Sequence, residues 1–355
     1  MKLDFRDTEK PAIRERALIA AAVTVLIIGL ALVVWNLIEL PEKDVEAVKH
    51  MKVTLPGQAA LEDTDADRKA TDDVARMESL NPNAEVLNFE GTRLTDKGLM
   101  ALQRMQNLRT LRLSESDIST KGVWALSKLH IVNLSVAATQ LGDSAMEPIS
   151  KISTLRDLDL SDTQITSKAG AFLDQLPALK NLNLSGTKVD DGIFPYLVKM
   201  PTLWALSLTS TGVTENGLAY LSGLPKLRRL SLGKFKMTDK AATSLSQSKV
   251  IDLDLRAAEL TDEQIERLVK AQLISVTVSN TAMSDKGLCA LAAVPTMRRL
   301  MVDACPNIKD ATVENLRKKY PKLHIGHQPA FVAIDEDKLG DILDRIKKQR
   351  RKNSE

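Results

Sequence analysis

Few side chains in this 355-residue sequence are equipped for chemistry, and their spacing decides against most of it. Four histidines occur: His50, His130, His324 and His327. The last two flank Gly326 closely, but no acid or cysteine accompanies them at ligand spacing, and a zinc site needs three or four ligands. Cys289 falls in a helical stretch and Cys305 at a position where a small hydroxyl recurs, so neither reads as an activated thiolate. Two cysteines cannot build a disulfide framework, and they do not decide the compartment. Aspartate follows threonine or serine at Thr95-Asp96, Thr238-Asp239, Thr261-Asp262 and Ser284-Asp285. That pair is a helix N-cap with an acid in the first turn, favoured by the helix dipole, rather than a catalytic dyad. GxSxG, P-loop and HExxH patterns are absent. No catalytic, metal or cofactor site is expected, and the chain does not read as an enzyme. What remains is a capacity to bind, carried by Trp204 and by the cations Lys180, Arg228, Arg229, Arg298 and Arg299.

A repeat gives those residues their positions. From Ala84 onward the pattern recurs every 23 or 24 residues, with units opening at Ala84, Leu108, Ile131, Leu155, Leu179, Leu203, Leu227, Val250, Leu273 and Met297. A further strand opens at Leu323. Repeat positions one, four and six are apolar, as in Leu179, Leu182 and Leu184. The fourth and sixth alternate with polar neighbours, as a short strand with one buried face requires. Position nine is usually a small hydroxyl, such as Thr139, Thr163 or Thr187, able to bond backbone groups of the following turn. Position eleven is apolar again. A Ser or Thr cap and a short helix follow, with Leu99 and Leu102, or Leu218 and Leu221, facing inward. Pro177, Pro201, Pro225 and Pro295 close the unit before the next strand.

A period in this range with LxxLxL marks leucine-rich repeats. The pattern LxxLxLsxTxvTDxGLxxLxxLP resembles the repeats of bacterial envelope-associated proteins, notably those of planctomycetes. The last unit, MRRLMVDACPNIKDATVENLRKKYPK, is similar to the cysteine-containing repeats of eukaryotic F-box proteins, with Cys305 in place of threonine. The resemblance covers about two thirds of the chain and implies an α/β solenoid, with parallel strands on a concave face and short helices on a convex face. It implies almost nothing about function. No unit can bury its apolar face alone, so stacking must supply the core. Apolar residues make up 44% of the chain and aromatic ones 3%, so that core is aliphatic.

A transmembrane helix is expected to precede the solenoid. Residues 17–38 carry no charge, and at about 1.5 Å per residue they span roughly 33 Å, enough for a hydrocarbon core of about 30 Å. Trp35 stands near the far end, at the depth where an amphipathic ring is favoured. WNLIELPEK follows in place of a small-residue cleavage site, which reads as an uncleaved signal-anchor. Lys2, Arg6, Lys10, Arg14 and Arg16 precede the run, against Lys43, Lys49 and Lys52 after it. That bias places the N-terminus in the cytoplasm and the repeats in the periplasm or outside the cell. The expected organisation is a cytoplasmic segment (1–16), the anchor (17–40), a linker and helical cap (41–83), the solenoid of about ten repeats (84–326), and a basic amphipathic tail (327–355). Val74 and Met77 would pack the cap onto the first strand. The basic end of the tail, from Arg345 to Lys352, reads either as a contact for anionic lipid or a polyanion, or as a solvated helix end.

With 49 basic and 46 acidic residues the net charge is +3, which argues against a dedicated nucleic-acid binder. The expected role is a membrane-held protein-binding module. Its concave face would present positions two, three and five, and the arginine pairs would suit an acidic partner surface. Trp204 would stand at position two between Lys180 and Arg228. An envelope scaffold that binds a glycan, with Trp204 stacked on a sugar, is the alternative. A cytosolic F-box-like adaptor is a third reading, opposed by the anchor and by the missing F-box segment.

Overall fold

In a computed structural model, which describes residues 80–92 and 94–327, the alternating apolar positions of each repeat form a three-residue strand. The strands are β1 (Val86–Asn88), β2 (Thr110–Arg112), β3 (Asn133–Ser135), β4 (Asp157–Asp159), β5 (Asn181–Asn183) and β6 (Ala205–Ser207). They continue as β7 (Arg229–Ser231), β8 (Asp252–Asp254), β9 (Ser275–Thr277), β10 (Arg299–Met301) and β11 (His324–Gly326). All eleven pair in parallel in chain order. The strand opening at Leu323 thus joins the same sheet, which at about 4.8 Å per step is roughly 48 Å long. The described residues lie within one unit, Leu61–Glu355. The anchor, the cap residues Val74 and Met77 and the basic tail lie outside the described residues. Among those described, no helix is long and apolar enough to cross a membrane.

Strand register places like residues in rows: Leu182 lies opposite Leu158 on one side and Leu206 on the other. Together with positions one and six these form one continuous aliphatic core, in which Leu179 and Leu184 are fully buried. Return segments are short, ranging from four residues at Thr120–Val123 to ten at Asp310–Lys319, and several continue as a 3-10 turn. Such lengths are too short to be stable alone, so the helices exist because stacking buries one face of each.

Three devices order the turn after each strand, and two of them reach the neighbouring repeat. Position eight has positive φ in all ten repeats, yet glycine fills it only at Gly91 and Gly186; elsewhere stand residues such as Asp162, Ala257 and Asn280. Bending the chain out of the strand there aims its N–H at the following repeat, as in Ala257 N–H to the Ser279 carbonyl at 2.9 Å. The hydroxyl at position nine donates to the carbonyl three residues back, as in Thr163 Oγ to Leu160 at 2.6 Å. Cys305 takes this position in the last repeat, buried 3.6 Å from the Thr281 hydroxyl.

The third device gives the acid after the cap a larger role than the helix dipole alone. Asp96 accepts the Ser119 N–H at 2.7 Å and its hydroxyl at 2.6 Å, in the following repeat. Asp143 holds Thr166 at 2.8 and 2.6 Å, and Asp191 holds Thr214 at 2.7 and 2.5 Å. Asp262 does the same to Ser284 at 3.2 and 2.5 Å. The glycine of the TDxG pattern makes room for this clamp. A Cβ on Gly122 would lie 2.2 Å from the Asp96 carboxylate, and one on Gly217 2.4 Å from that of Asp191.

Candidate functional site

Side chains at positions three and five leave the core side of the sheet and form the concave face. From β2 to β7 most of them are short, and they line a shallow open groove of about 430 Å³. Its floor is made by Asp157, Asp159, Asn181, Asn183, Ala205 and Ser207. The polar ends are held in place by one another. Asp157 accepts the amide of Asn181, and Asp159 accepts the N–H and hydroxyl of Ser161 at 3.0 and 2.7 Å. Asn183 does the same for Ser185 at 3.1 and 2.7 Å, and the Ser185 and Ser207 hydroxyls meet at 2.7 Å. Both carboxylates on β4 therefore receive neutral donors. These floor residues were visible in the repeat alignment, but nothing in the sequence marked them as the place where the face is lowest.

Arg229 bounds one end of the groove. Its Nε donates to Asp252 Oδ2 at 2.7 Å, and its guanidinium carbon stands 5.0 Å from the centre of the Trp204 ring. Trp204 is 39% exposed and stands at the rim beside the groove rather than in its lining. Its backbone is fixed on both sides: the Trp204 N–H donates to the Lys180 carbonyl at 2.7 Å, and the Arg228 N–H donates to the Trp204 carbonyl at 2.9 Å. The expected strand neighbours are therefore correct, but the cation on the ring is Arg229. Position three of the next strand projects over the sheet, whereas position two does not.

The remaining predicted cations separate. Arg228 Nη1 donates to the Pro225 and Leu227 carbonyls at 3.1 and 2.9 Å, and Arg298 Nη1 to those of Pro295 and Met297 at 3.0 and 2.8 Å. Both guanidiniums turn back onto the strand-entry turn, so Arg228 and Arg298 part from Arg229 and Arg299. Lys180 is exposed one strand from Trp204, while Arg299 is exposed on β10, four strands away from Trp204. Near Arg299, Asp254 grips Arg256 at 2.7 Å, and this hydrogen bond, with the adjacent charge, holds the guanidinium above its usual range.

The histidine reading also changes. His327 does have an acid partner: its Nε2 lies 2.9 Å from Asp310 Oδ1, and its Nδ1 lies 3.2 Å from the Val302 carbonyl. Asp310 comes from the last described helix, 17 residues earlier in the chain, which is why local spacing missed it. One imidazole between a carboxylate and a carbonyl fastens the end of the sheet to that helix. Among the described residues no cluster of three metal-binding side chains occurs.

A family model described as a leucine-rich repeat matches residues 104–127 and 151–173. Those segments occupy the same phase of two units in the parallel stack. The described domain is a leucine-rich-repeat solenoid. None of the curated proteins matches the sequence. Among solved structures, an internalin from Listeria monocytogenes str. 4b F2365 is similar at 15% identity, over 71% of this chain and 88% of that one, with a TM-score of 0.41. A chain of the mouse RP105/MD-1 complex is similar at 21% identity, over 68% of this chain and 41% of that one, with a TM-score of 0.46. Leucine-rich-repeat domains form a non-catalytic fold family, and such stacked repeats typically act as extended binding surfaces.

Proposed function

We propose that this leucine-rich-repeat domain binds a protein partner across the concave groove between β2 and β7, with Trp204 and Arg229 as the joint anchor. The observation that carries this is the exposed indole already stacked under a guanidinium beside a low, polar floor. Aromatic and arginine side chains in such settings dominate binding energy, because partner contact removes both from water without much further ordering. Exposure alone would not single out Trp204, since Trp124 on the convex side is 44% exposed.

A photo-crosslinker at Asn183, compared with the same probe at Ala290 on a helix, tests the surface. The groove probe should capture a discrete polypeptide from native membranes and the helix probe should not. Once identified, that partner should bind Trp204→Ala at least tenfold more weakly, equivalent to roughly 1.4 kcal/mol or more, while Trp124→Ala changes little. Equal binding by Trp204→Ala would refute the anchor. Capture of cell-wall polymer instead would favour the glycan reading, which the amide-rich floor and open indole also suit.

The sequence supports placing this module on a membrane through residues 17–40, with the repeats periplasmic or extracellular. An N-terminus beginning after Trp35 in the mature protein would exclude the anchor. An inactive alkaline phosphatase fused after Glu355 would exclude the outward orientation.

A further inference from the structure

We infer that the strand-entry edge of the solenoid is a docking surface for an anionic lipid bilayer. This edge consists of the turns that lead from each helix into the next strand. Each comprises the five residues before the strand's leading apolar residue, that residue, and the one after it. Across the ten turns from Gln103 to His324 it holds fifteen lysines and arginines and one acid, Asp174. That acid lies 3.6 Å from Lys199. The opposite edge, positions seven to thirteen of each repeat from Glu90 to Lys309, holds fourteen acids and five cations among the described residues. The near-zero charge of the whole chain thus hides a solenoid with one basic and one acidic long edge.

Local structure keeps the basic edge basic. The backward turn of the position-two arginines carries their charge off the concave face and onto this edge. Arg109 does so at 3.1 and 3.2 Å from the Gln106 and Leu108 carbonyls, in the same way as Arg228 and Arg298. Lys128, Lys151, Lys226, Lys249 and Lys270 are exposed in the turns beside them. Helix dipoles favour cations only within the last turn, and they do not account for charges at the second strand position. On the acidic edge, Asp96, Asp143, Asp191 and Asp262 are committed to the inter-repeat clamps.

The array spans ten turns, about 43 Å at the strand spacing. Successive turns are about 4.8 Å apart, less than the Debye length of about 8 Å, so their charges act together. A plane of negative charge attracts one edge of such a body and repels the other, which fixes its orientation. Each lysine or arginine brought to an anionic leaflet favours association by about fivefold. This docking leaves the concave groove open and does not depend on what the groove binds.

The full chain tests this with one fluorophore per molecule in a Cys289→Ser background, Cys305 being buried. A label at Lys249→Cys reports the basic edge and one at Lys188→Cys the acidic edge. Vesicles of phosphatidylcholine carry a headgroup quencher, with or without phosphatidylglycerol. Quenching should occur at position 249 and not at 188, require phosphatidylglycerol, and disappear in high salt. Lys226→Glu, Lys249→Glu and Lys270→Glu together, with the label moved to Lys128→Cys, should weaken that response roughly a hundredfold. The variant's urea midpoint checks that the fold survives. Insertion of residues 17–38 would bring both labels near a bilayer regardless of charge, so edge selectivity is the deciding signal. Equal quenching at both positions, or an excess of quenching at 249 over 188 that does not depend on anionic lipid, overturns the proposal. So does tight heparin binding by a protein that ignores the vesicles, which would assign the edge to a linear polyanion. Asn183→Ala, on the groove floor and outside this edge, should leave the quenching unchanged, so the two proposals fail separately.

Discussion

Gly122 and Asp96 should show opposite behaviour alone and together. Removing the carboxylate in Asp96→Ala deletes two hydrogen bonds to Ser119, at 2.7 and 2.6 Å. Bonds to a charged acceptor are worth about 1.5–3 kcal/mol each when sheltered, and here partial exposure lets water replace part of that, leaving about 2 kcal/mol for the pair. In Gly122→Ala the new methyl would sit 2.2 Å from the same carboxylate oxygen and 2.8 Å from its carbon. The carboxylate must swing away, so this substitution loses the same two bonds and costs about 1–2 kcal/mol, after allowing for the better helix propensity of alanine. With both changes made, the methyl meets no carboxylate, and only a contact of 3.0 Å to the Asp96 Cα remains. Gly122→Ala should then be neutral or slightly stabilising, by up to about 0.5 kcal/mol. The coupling in the double-mutant cycle is therefore about 1–2.5 kcal/mol. Urea unfolding gives the global values, and hydrogen exchange at the Ser119 amide reads the seam itself, since repeat arrays need not unfold in one step. If Gly122→Ala destabilises equally with and without Asp96, the clamp does not explain the glycine.

Ala257 has φ 54°, so Ala257→Gly should raise stability by about 0.5–1 kcal/mol despite the added freedom of the unfolded chain; a lower urea midpoint would refute the strain argument. Thr163→Val should cost about 1–2 kcal/mol by leaving the Leu160 carbonyl unpaired. Ser116→Ala should cost clearly less, because the Ser116 hydroxyl is buried without a partner among the described residues; equal losses would contradict this. The Ser167 hydroxyl and the Gly192 N–H hold the Asp190 carboxyl below its usual range. Its contribution is full above the ordinary carboxylate value of about 3.9 and fades as pH falls through the lower folded value. Asp190→Asn should therefore lose less stability than the parent between neutral and strongly acid pH, and parallel profiles would count against it.

The period, the strand residues and the buried hydroxyls were legible in the sequence because each follows from burial within one unit. Leu182 is buried and its neighbours Asn181 and Asn183 are only partly so, as the alternation required. What escaped notice lay between units. Left-handed backbone at position eight carries no composition signal when alanine, serine and lysine occupy it as well as glycine. The Asp–Gly relation joins residues 26 positions apart at Asp96 and Gly122, which no local window connects. At the candidate site, exposure of Trp204 followed from its strand position, and its pairing with Arg229 did not. Neighbouring positions two and three differ in direction, which chain order alone does not display. The turned-back arginines escaped for the same reason: their partners are turn carbonyls, which every sequence has and none advertises.

The clamp has a direction. In each clamp the earlier repeat offers the acid and the later one receives it, on one backbone N–H and a single hydroxyl. A seam of this kind asks its neighbour for three things: a hydroxylated cap, that residue's own N–H, and no Cβ at the glycine. A repeat that brings the acid can be followed by any repeat that meets those terms. The length of the array is then free to change by duplication or loss of a whole unit, in increments of about 4.8 Å, without new chemistry at the joint. Inheritance can act on such a domain as it does on a measured tape, altering reach while each printed segment keeps its own surface to vary.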